Sequence, residues 1–285
     1  MARQKARREE QRRQQSVENE SGEPRPPARP TEQTRGWPVR GTWHVRDAHA
    51  VQYSLSPVEG GAYGEMYAQE DSHWWFRGRR SLIWALLRHG DLPDRPRILD
   101  AGCAGGGNGE LMKRAGAREV VGIELSAEAA EVARTRLDAV ITGDLATVDL
   151  APLAGEPFDA VLFIDVLEHL LDPRATLVRY LALVAPGGLV VASIPNVAHV
   201  WVIANLLAAR WPQKDSGIFD RTHLRFFARR DMIRLLGSAG LEVLEVRPYY
   251  SRYRSIRALS LGLSLYVFRS YFARQYLLVA RKPPA

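Results

Sequence analysis

From residue 97 onward, short apolar runs alternate with amphipathic stretches, and each apolar run stops at a polar residue. Ile98-Leu99 runs into Asp100, Val120–Ile123 into Glu124, Ala139–Thr142 into Gly143-Asp144, Phe158–Ile164 into Asp165, and Leu189–Ile194 into Pro195-Asn196. Uninterrupted apolar runs of this length are strands covered on both faces. Helical spacing fills the gaps. A helix begins at Glu110, and Ser126 caps another that runs to Leu137, with Glu128 near its N-terminus. Asp172-Pro173 gives a cap followed by a first-turn proline, and Pro186-Gly187-Gly188 closes that helix. Farther on, 197–210 and 231–240 read as helices, 217–227 as a polar loop, and 241–246 and 275–281 as two last strands. Strands alternating with helices predict an α/β fold, a doubly wound, mostly parallel seven-stranded sheet whose ligands sit beyond the strand C-termini.

The acids at those termini are hard to explain by packing, and the first of them introduces a glycine-rich turn. Gly102, Gly105, Gly106, Gly107 and Gly109 follow Asp100 and allow the backbone to approach a ligand, with helix amides facing it. In a nucleotide-binding βαβ unit the next strand carries an acid for the ribose hydroxyls, about 20 residues on. Glu124 stands in that place. Gly102, Ala104 and Gly107 also pass as a loose dinucleotide fingerprint, so NAD binding is a competing reading, as is a tight turn with no ligand.

Composition changes this picture only at the ends of the chain. The 285 residues are 46% hydrophobic and 25% charged, ordinary for a globular protein. Residues 1–40 hold 10 Lys/Arg against 6 Asp/Glu, and residues 247–285 hold 8 Lys/Arg and no acid, which leaves the body slightly acidic. That distribution does not describe a nucleic-acid groove, though the ends could touch an anionic surface. Residues 1–36 are basic, proline-rich and nearly free of apolar side chains, so a disordered tail is expected. The remainder, 37–285, is expected to form one domain: an N-terminal helical lid (37–95), a cofactor-binding core (96–196), and acceptor-side elements with the last strands (197–285). Trp74, Trp75 and Phe76 beside Arg77, Arg79 and Arg80 can cover a ligand as a lid or pack the helix onto the sheet. The single cysteine, Cys103, excludes an intrachain disulfide and is read as packing beneath the cofactor. With no apolar segment after the basic start, the expected location is cytoplasmic. Residues 258–268 are too short and too interrupted by arginine to span a bilayer. A peripheral membrane contact through 251–274 stands as the alternative to plain packing.

Taken together, the strand tips resemble class I S-adenosylmethionine-dependent methyltransferases over roughly residues 63–281. Leu99-Asp-Ala-Gly-Cys-Ala-Gly-Gly106 is similar to their first motif, with Ala104 where glycine is usual. Val121-Gly-Ile-Glu124, Gly143-Asp-Leu145, Phe158–His169 and Leu183–Leu189 resemble the following ones. The set displaces the NAD reading, because a dehydrogenase has no need of Asp144 or of Asp165-Val-Leu-Glu-His169. Ser193–His199 and Gly217–Phe227 resemble a bacterial branch associated with glycan, lipopolysaccharide and natural-product assembly, and His73–Phe76 its lid segment.

The resemblance implies S-adenosylmethionine as cofactor. It implies that Asp100, Gly102, Ala104 and Gly106 hold the methionine moiety, that Glu124 with Leu125 takes the ribose, that Asp144 with Leu145 reads adenine, and that Asp165 lines the same mouth. Methyl transfer to oxygen or nitrogen asks the protein to align the acceptor and remove a proton, and histidine is the economical base. His199 and His223 are the first candidates and His169 the third. Trp75, Asn196, Asp220, Arg221 and Arg225 are expected at the acceptor, the arginines for a phosphate or carboxylate or, equally, for ion pairs. Asp165, Glu168 and His169 stand at i, i+3 and i+4, on one helical face, similar to the Glu-x-x-Glu-His metal run of quinone O-methyltransferases. With aspartate first, capping and supporting hydrogen bonds are preferred and no metal is expected. The function expected is O-methylation of a small-molecule, sugar or glycan acceptor. An RNA methyltransferase and a non-catalytic scaffold are the alternatives, and no feature specifies an oligomer.

Overall fold

The computed structural model describes residues 74–88, 90–250 and 269–284. The expected tail, the lid before residue 74 and the apolar, arginine-rich 251–268 lie outside the described residues, as do the side chains of Trp74, Trp75 and Phe76.

Helix α1 (Trp74–Arg88) precedes a run of alternating elements: β1 (Arg97–Ala101), α2 (Gly107–Arg114), β2 (Glu119–Glu124), α3 (Ala127–Arg134), β3 (Ala139–Thr142) and β4 (Phe158–Ile164). Then come α4 (Pro173–Leu181), β5 (Val184–Pro195), α5 (Val200–Leu207), α6 (Arg229–Ser238), β6 (Glu242–Tyr249) and β7 (Gln275–Arg281). The sheet has seven strands in the order β3-β2-β1-β4-β5-β7-β6, with β7 antiparallel to both neighbours and the other described pairs parallel. The order reverses between β1 and β4, whose C-terminal ends therefore open a crevice. Because β7 runs the other way, its first residue, Gln275, pairs with Pro195 at the same edge.

The local signals act as the sequence predicts at several points. The Ser126 hydroxyl accepts from the Ala129 amide at 3.3 Å and the Asp172 carboxylate from Ala175 at 2.9 Å, so both caps satisfy amides that would otherwise be orphaned. Apolar strands bury on both faces: Leu99, Ile123, Phe163 and Ile194 face one core with Tyr180 and Met232, and Ile98, Val120, Leu162 and Val191 face the other with Ile83 and Leu87. Phe163 meets Tyr180 edge to face at 5.6 Å.

Three expectations are corrected. Pro186–Gly188 does not follow a helix end but lies inside β5, where Gly187 takes φ 77° and the pairing with β4 shifts register between Phe158 and Ala160. The helix after β5 is shorter than expected, because His199 caps it and it begins only at Val200. Asp165, Glu168 and His169 do not share a helical face: Asp165 is left-handed at φ 57° and only Leu167–His169 form a single 3-10 turn. Among the described residues, no helix is long and apolar enough to cross a membrane.

Candidate active site

The ends of β1, β2, β3, β4 and β5 bring their polar residues to one edge of the sheet, the mouth of the candidate site. Its floor is the turn after β1. Asp100 is completely buried there, and the amides of Gly102 and Cys103 both donate to the Ile123 carbonyl, at 2.8 and 3.0 Å, which lashes the turn to the end of β2. Gly102 sits at φ 79°, and a Cβ there would come within 2.5 Å of Val166. Gly106, at φ 81°, caps α2. Ala104 is also left-handed, at φ 48°, where an L side chain costs about 1–2 kcal/mol. Cys103 is buried, its sulfur against Gly122, as the packing role expected.

Glu124 closes the turn from above. One carboxylate oxygen accepts from the Ala104 amide at 2.8 Å and the other from Ser126 at 2.9 Å. Burial raises its pKa, and the amide donors at Ser126, Ala104 and Leu125 partly offset that rise. Leu125, the next residue, is 57% exposed. At the end of β3, Asp144 accepts from the Ala146 amide at 2.8 Å, while the buried Leu145 presents its carbonyl to Arg179 at 2.8 Å. A half-buried carboxylate bonded to a turn in which Gly102 and Gly106 have no room for a side chain, with a second acid one strand away, fits an adenosyl group bearing two ribose hydroxyls.

Asp165 is the hub of the other half. It accepts from the Ser193 hydroxyl at 2.8 Å, from Gln275 and from Arg79, whose guanidinium is buried. Arg80 lies against Gly107 at the start of α2. The sequence sets Arg79 and Arg80 beside an aromatic lid and Ser193 at the head of an acceptor-side segment without naming their partners, and it gives Gln275 only as the start of the last strand; the structure joins Arg79, Ser193 and Gln275 on Asp165.

The three histidines separate by their partners. The His199 Nδ1 accepts from the Trp201 amide at 3.1 Å, and burial together with the Arg274 charge lowers its pKa to about 4. His199 is therefore a neutral helix cap whose lone pair is spent. His169 and His223 face each other, ring centroids 4.8 Å apart. His169 Nδ1 is 3.2 Å from the Thr222 carbonyl and 3.1 Å from its hydroxyl, and that hydroxyl donates to Asp220 at 2.6 Å. With a carbonyl and an oriented hydroxyl oxygen as partners, Nδ1 carries the proton and Nε2 the lone pair. His223 is held below the usual imidazole range by burial and by His169, against the opposite pull of Asp220 and the Ile218 backbone.

Beside them lies Glu168, 1% exposed, whose carbonyl accepts from the Leu224 and Arg225 amides at 2.9 Å and so docks the 217–227 loop onto the turn after β4. Its carboxylate oxygens have no hydrogen-bond partner among the described residues. Burial, then the Asp165 charge, pushes its pKa well above the usual carboxylate range. Glu168, His169 and His223 bring ligand atoms within 4.8 Å of one another, so a divalent cation fits this set rather than the run containing Asp165.

The residues expected at the acceptor divide similarly. Asn196 is 1% exposed; its amide donates to the Ser270 and Ala273 carbonyls, at 3.1 and 2.8 Å, and accepts from Ala198 at 3.1 Å. Arg221 pairs with Asp215, and Arg225 donates to the Leu171 carbonyl, so both guanidinia hold loops. Asp220 orients Thr222.

Comparison with known proteins identifies the family and the fold. Residues 70–246 match the family model described as a methyltransferase domain. Two ubiquinone biosynthesis O-methyltransferases are similar. The one from Neisseria meningitidis serogroup C (strain 053442) is 30% identical over 164 residues, covering 56% of this chain and 68% of the relative. The one from Cereibacter sphaeroides (strain ATCC 17029 / ATH 2.4.9) is 32% identical over 154 residues, covering 52% and 61%. The crystal structure of a SAM dependent methyltransferase from Archaeoglobus fulgidus superposes with a TM-score of 0.55 at 20% identity, covering 76% of this chain and 99% of that one. The family match begins before α1 and ends within β6, taking in the glycine turn and every strand tip of the mouth. The chain therefore belongs to the methyltransferase-domain family and is an S-adenosylmethionine-dependent methyltransferase of the class I fold.

Proposed function

We propose that the protein transfers a methyl group to a hydroxyl oxygen of an apolar or amphiphilic small molecule, with His169 removing the acceptor proton. The observation that carries this is the fixed tautomer of His169: Thr222, itself set by Asp220, holds Nδ1 and directs the Nε2 lone pair away from that anchor. The names of the 30–32% identical relatives support an oxygen acceptor on a quinone precursor.

When bound, the cofactor supplies an electrophilic methyl on a sulfonium that leaves as a neutral thioether. The chain's own residues do the rest. Glu124 accepts both ribose hydroxyls, the Gly102–Gly106 turn carries the methionine end, and Asp144 reads adenine. Asp165 is kept in place by Arg79, Ser193 and Gln275. As the new C–O bond forms, the hydroxyl proton passes to His169 Nε2, and the resulting imidazolium lies near the Asp220 charge. Base assistance of this kind contributes about 10²–10⁴ in rate.

A second reading rests on Glu168, whose buried carboxylate beside two imidazoles suits a divalent cation that would polarise the hydroxyl. Methyl transfer from labelled cofactor to a panel of catechols, hydroquinones and sugars, before and after dialysis against EDTA, tests both. Labelled phenolic ethers formed equally in both samples support His169 as base. Loss of product on chelation, restored by metal, favours the cation. Transfer to sugars alone overturns the phenolic acceptor.

A further inference from the structure

The stretch Val197–Ala209 contains no charged residue. Such a stretch is normally buried, yet α5 buries only Val202 fully. Ile203 is half-buried, and the remaining large apolar side chains face outward: Val200 is 40%, Trp201 58%, Leu206 55% and Leu207 85% exposed. The apolar surface continues beyond the helix. Trp211 meets Phe219 and Phe226 edge to face, both at 5.2 Å, and Trp211, Leu224 and Phe226 remain 37–47% exposed. The Val197 amide bonds to the Phe227 carbonyl at 3.0 Å, which sets the 217–227 loop beside the start of α5. Helix and loop thus present one apolar patch beside the mouth, because α5 follows the tip of β5 and the same loop carries His223 and is docked on the Glu168 carbonyl. A patch of this kind on a folded domain marks an interaction surface.

Charge identifies what it meets. Arg210, Lys214, Arg229 and Arg230 are exposed around the patch and form no ion pair with any described acid, whereas the nearby acids are used locally, Asp215 by Arg221 and Asp220 by Thr222. A second copy docking about a twofold axis would set this basic rim against itself. An anionic bilayer complements it: exposed tryptophans and leucines enter the headgroup boundary while the cations stay among lipid phosphates. With eight residues, α5 lies on such a surface and cannot span it.

We propose that the α5 face with Trp211 and Phe226 is a docking surface for anionic lipid bilayers, which brings the acceptor mouth to the headgroup level. It deepens, and rests on, the reading of the mouth as the site of a lipid-soluble acceptor.

The test is co-sedimentation of the full-length protein with phosphatidylcholine vesicles, with and without phosphatidylglycerol, beside the Trp201→Ser/Leu207→Ser variant. Thermal unfolding and S-adenosylmethionine titration of both proteins run alongside. The expected result is binding to the phosphatidylglycerol vesicles that weakens with salt and falls at least about tenfold in the variant, with unfolding temperature and cofactor affinity unchanged. A wild-type protein that binds cofactor but ignores anionic vesicles overturns the proposal. So does a variant that still binds them as wild type does, or a wild-type dimer that the same substitutions dissociate. Vesicle binding without cofactor binding would leave the docking surface standing and remove the enzymatic reading.

Discussion

Asn196→Ala separates a residue that binds substrate from one that holds the mouth together. The side chain makes three hydrogen bonds, to the carbonyls of Ser270 and Ala273 and from the amide of Ala198, and Ala273 is fully buried. The two part-buried hydrogen bonds are worth about 1 kcal/mol net each, and the buried Ala273 carbonyl left without its partner costs about 1–3 kcal/mol. Truncation is therefore expected to cost about 3–5 kcal/mol. At about 2–4 °C per kcal/mol for a domain of this size, the unfolding temperature should fall by roughly 6–20 °C. Asn196→Asp, which turns a carboxylate toward two carbonyls, should lose at least as much. Thermal unfolding measures the loss, and cofactor titration at a temperature where both proteins are folded should give affinities within about threefold, because the amide reaches only the Ser270 and Ala273 carbonyls ahead of β7 and the Ala198 amide ahead of α5. An unfolding temperature within about 2 °C of wild type, combined with a raised KM for the best acceptor, would refute the reasoning and put the amide in the acceptor pocket.

The turn after β1 should respond with opposite signs at neighbouring positions. Ala104→Gly removes the left-handed strain but adds about 0.4–1 kcal/mol of unfolded-state entropy, so a rise in unfolding temperature of at most a few degrees is expected. Gly102→Ala adds strain at φ 79° and a Cβ 2.5 Å from Val166, and should cost at least about 2 kcal/mol by denaturant unfolding. A stabilised Gly102→Ala would show that the turn is not held as described. Among the histidines, His169→Asn should lower kcat at least about 100-fold with little change in cofactor affinity, read by S-adenosylhomocysteine formation. His199→Asn, which can still cap α5, should leave kcat within a few-fold and shift stability by no more than about 1 kcal/mol. The reverse ranking would transfer the base to His199.

Much of the mouth was legible because it is built from local signals. The strands 139–142, 158–164 and 275–281 have the expected limits, Ser126 and Asp172 cap as read, and Glu124 stands at the tip of its strand. The rest depends on contacts that no spacing encodes. Arg79 and Gln275 reach Asp165 across 86 and 110 residues of chain, and an antiparallel last strand is what brings Gln275 to the edge. The left-handed Asp165 breaks the helical register that seemed to align it with Glu168 and His169, and His223 takes the vacated place beside them. Periodicity identified α5 as a helix but could not say which side of it is covered, since nearly every position is apolar.

The central claim is that this edge binds S-adenosylmethionine through Glu124, and calorimetric titration of wild type and Glu124→Gln tests it most directly. The glutamine keeps the shape but offers one acceptor and one donor where Ala104 and Ser126 both donate, and hydrogen bonds to a charged group are worth about 1.5–3 kcal/mol each. The expected result is cofactor binding by wild type that weakens at least about tenfold in the variant. Because the folded-state pKa of Glu124 is raised, its charge is lost as pH falls through a value above the ordinary 4.5, so wild-type affinity should drop in that window while the variant's stays flat. A folded wild-type protein that does not bind the cofactor, or a variant that binds it equally at every pH, would contradict the account.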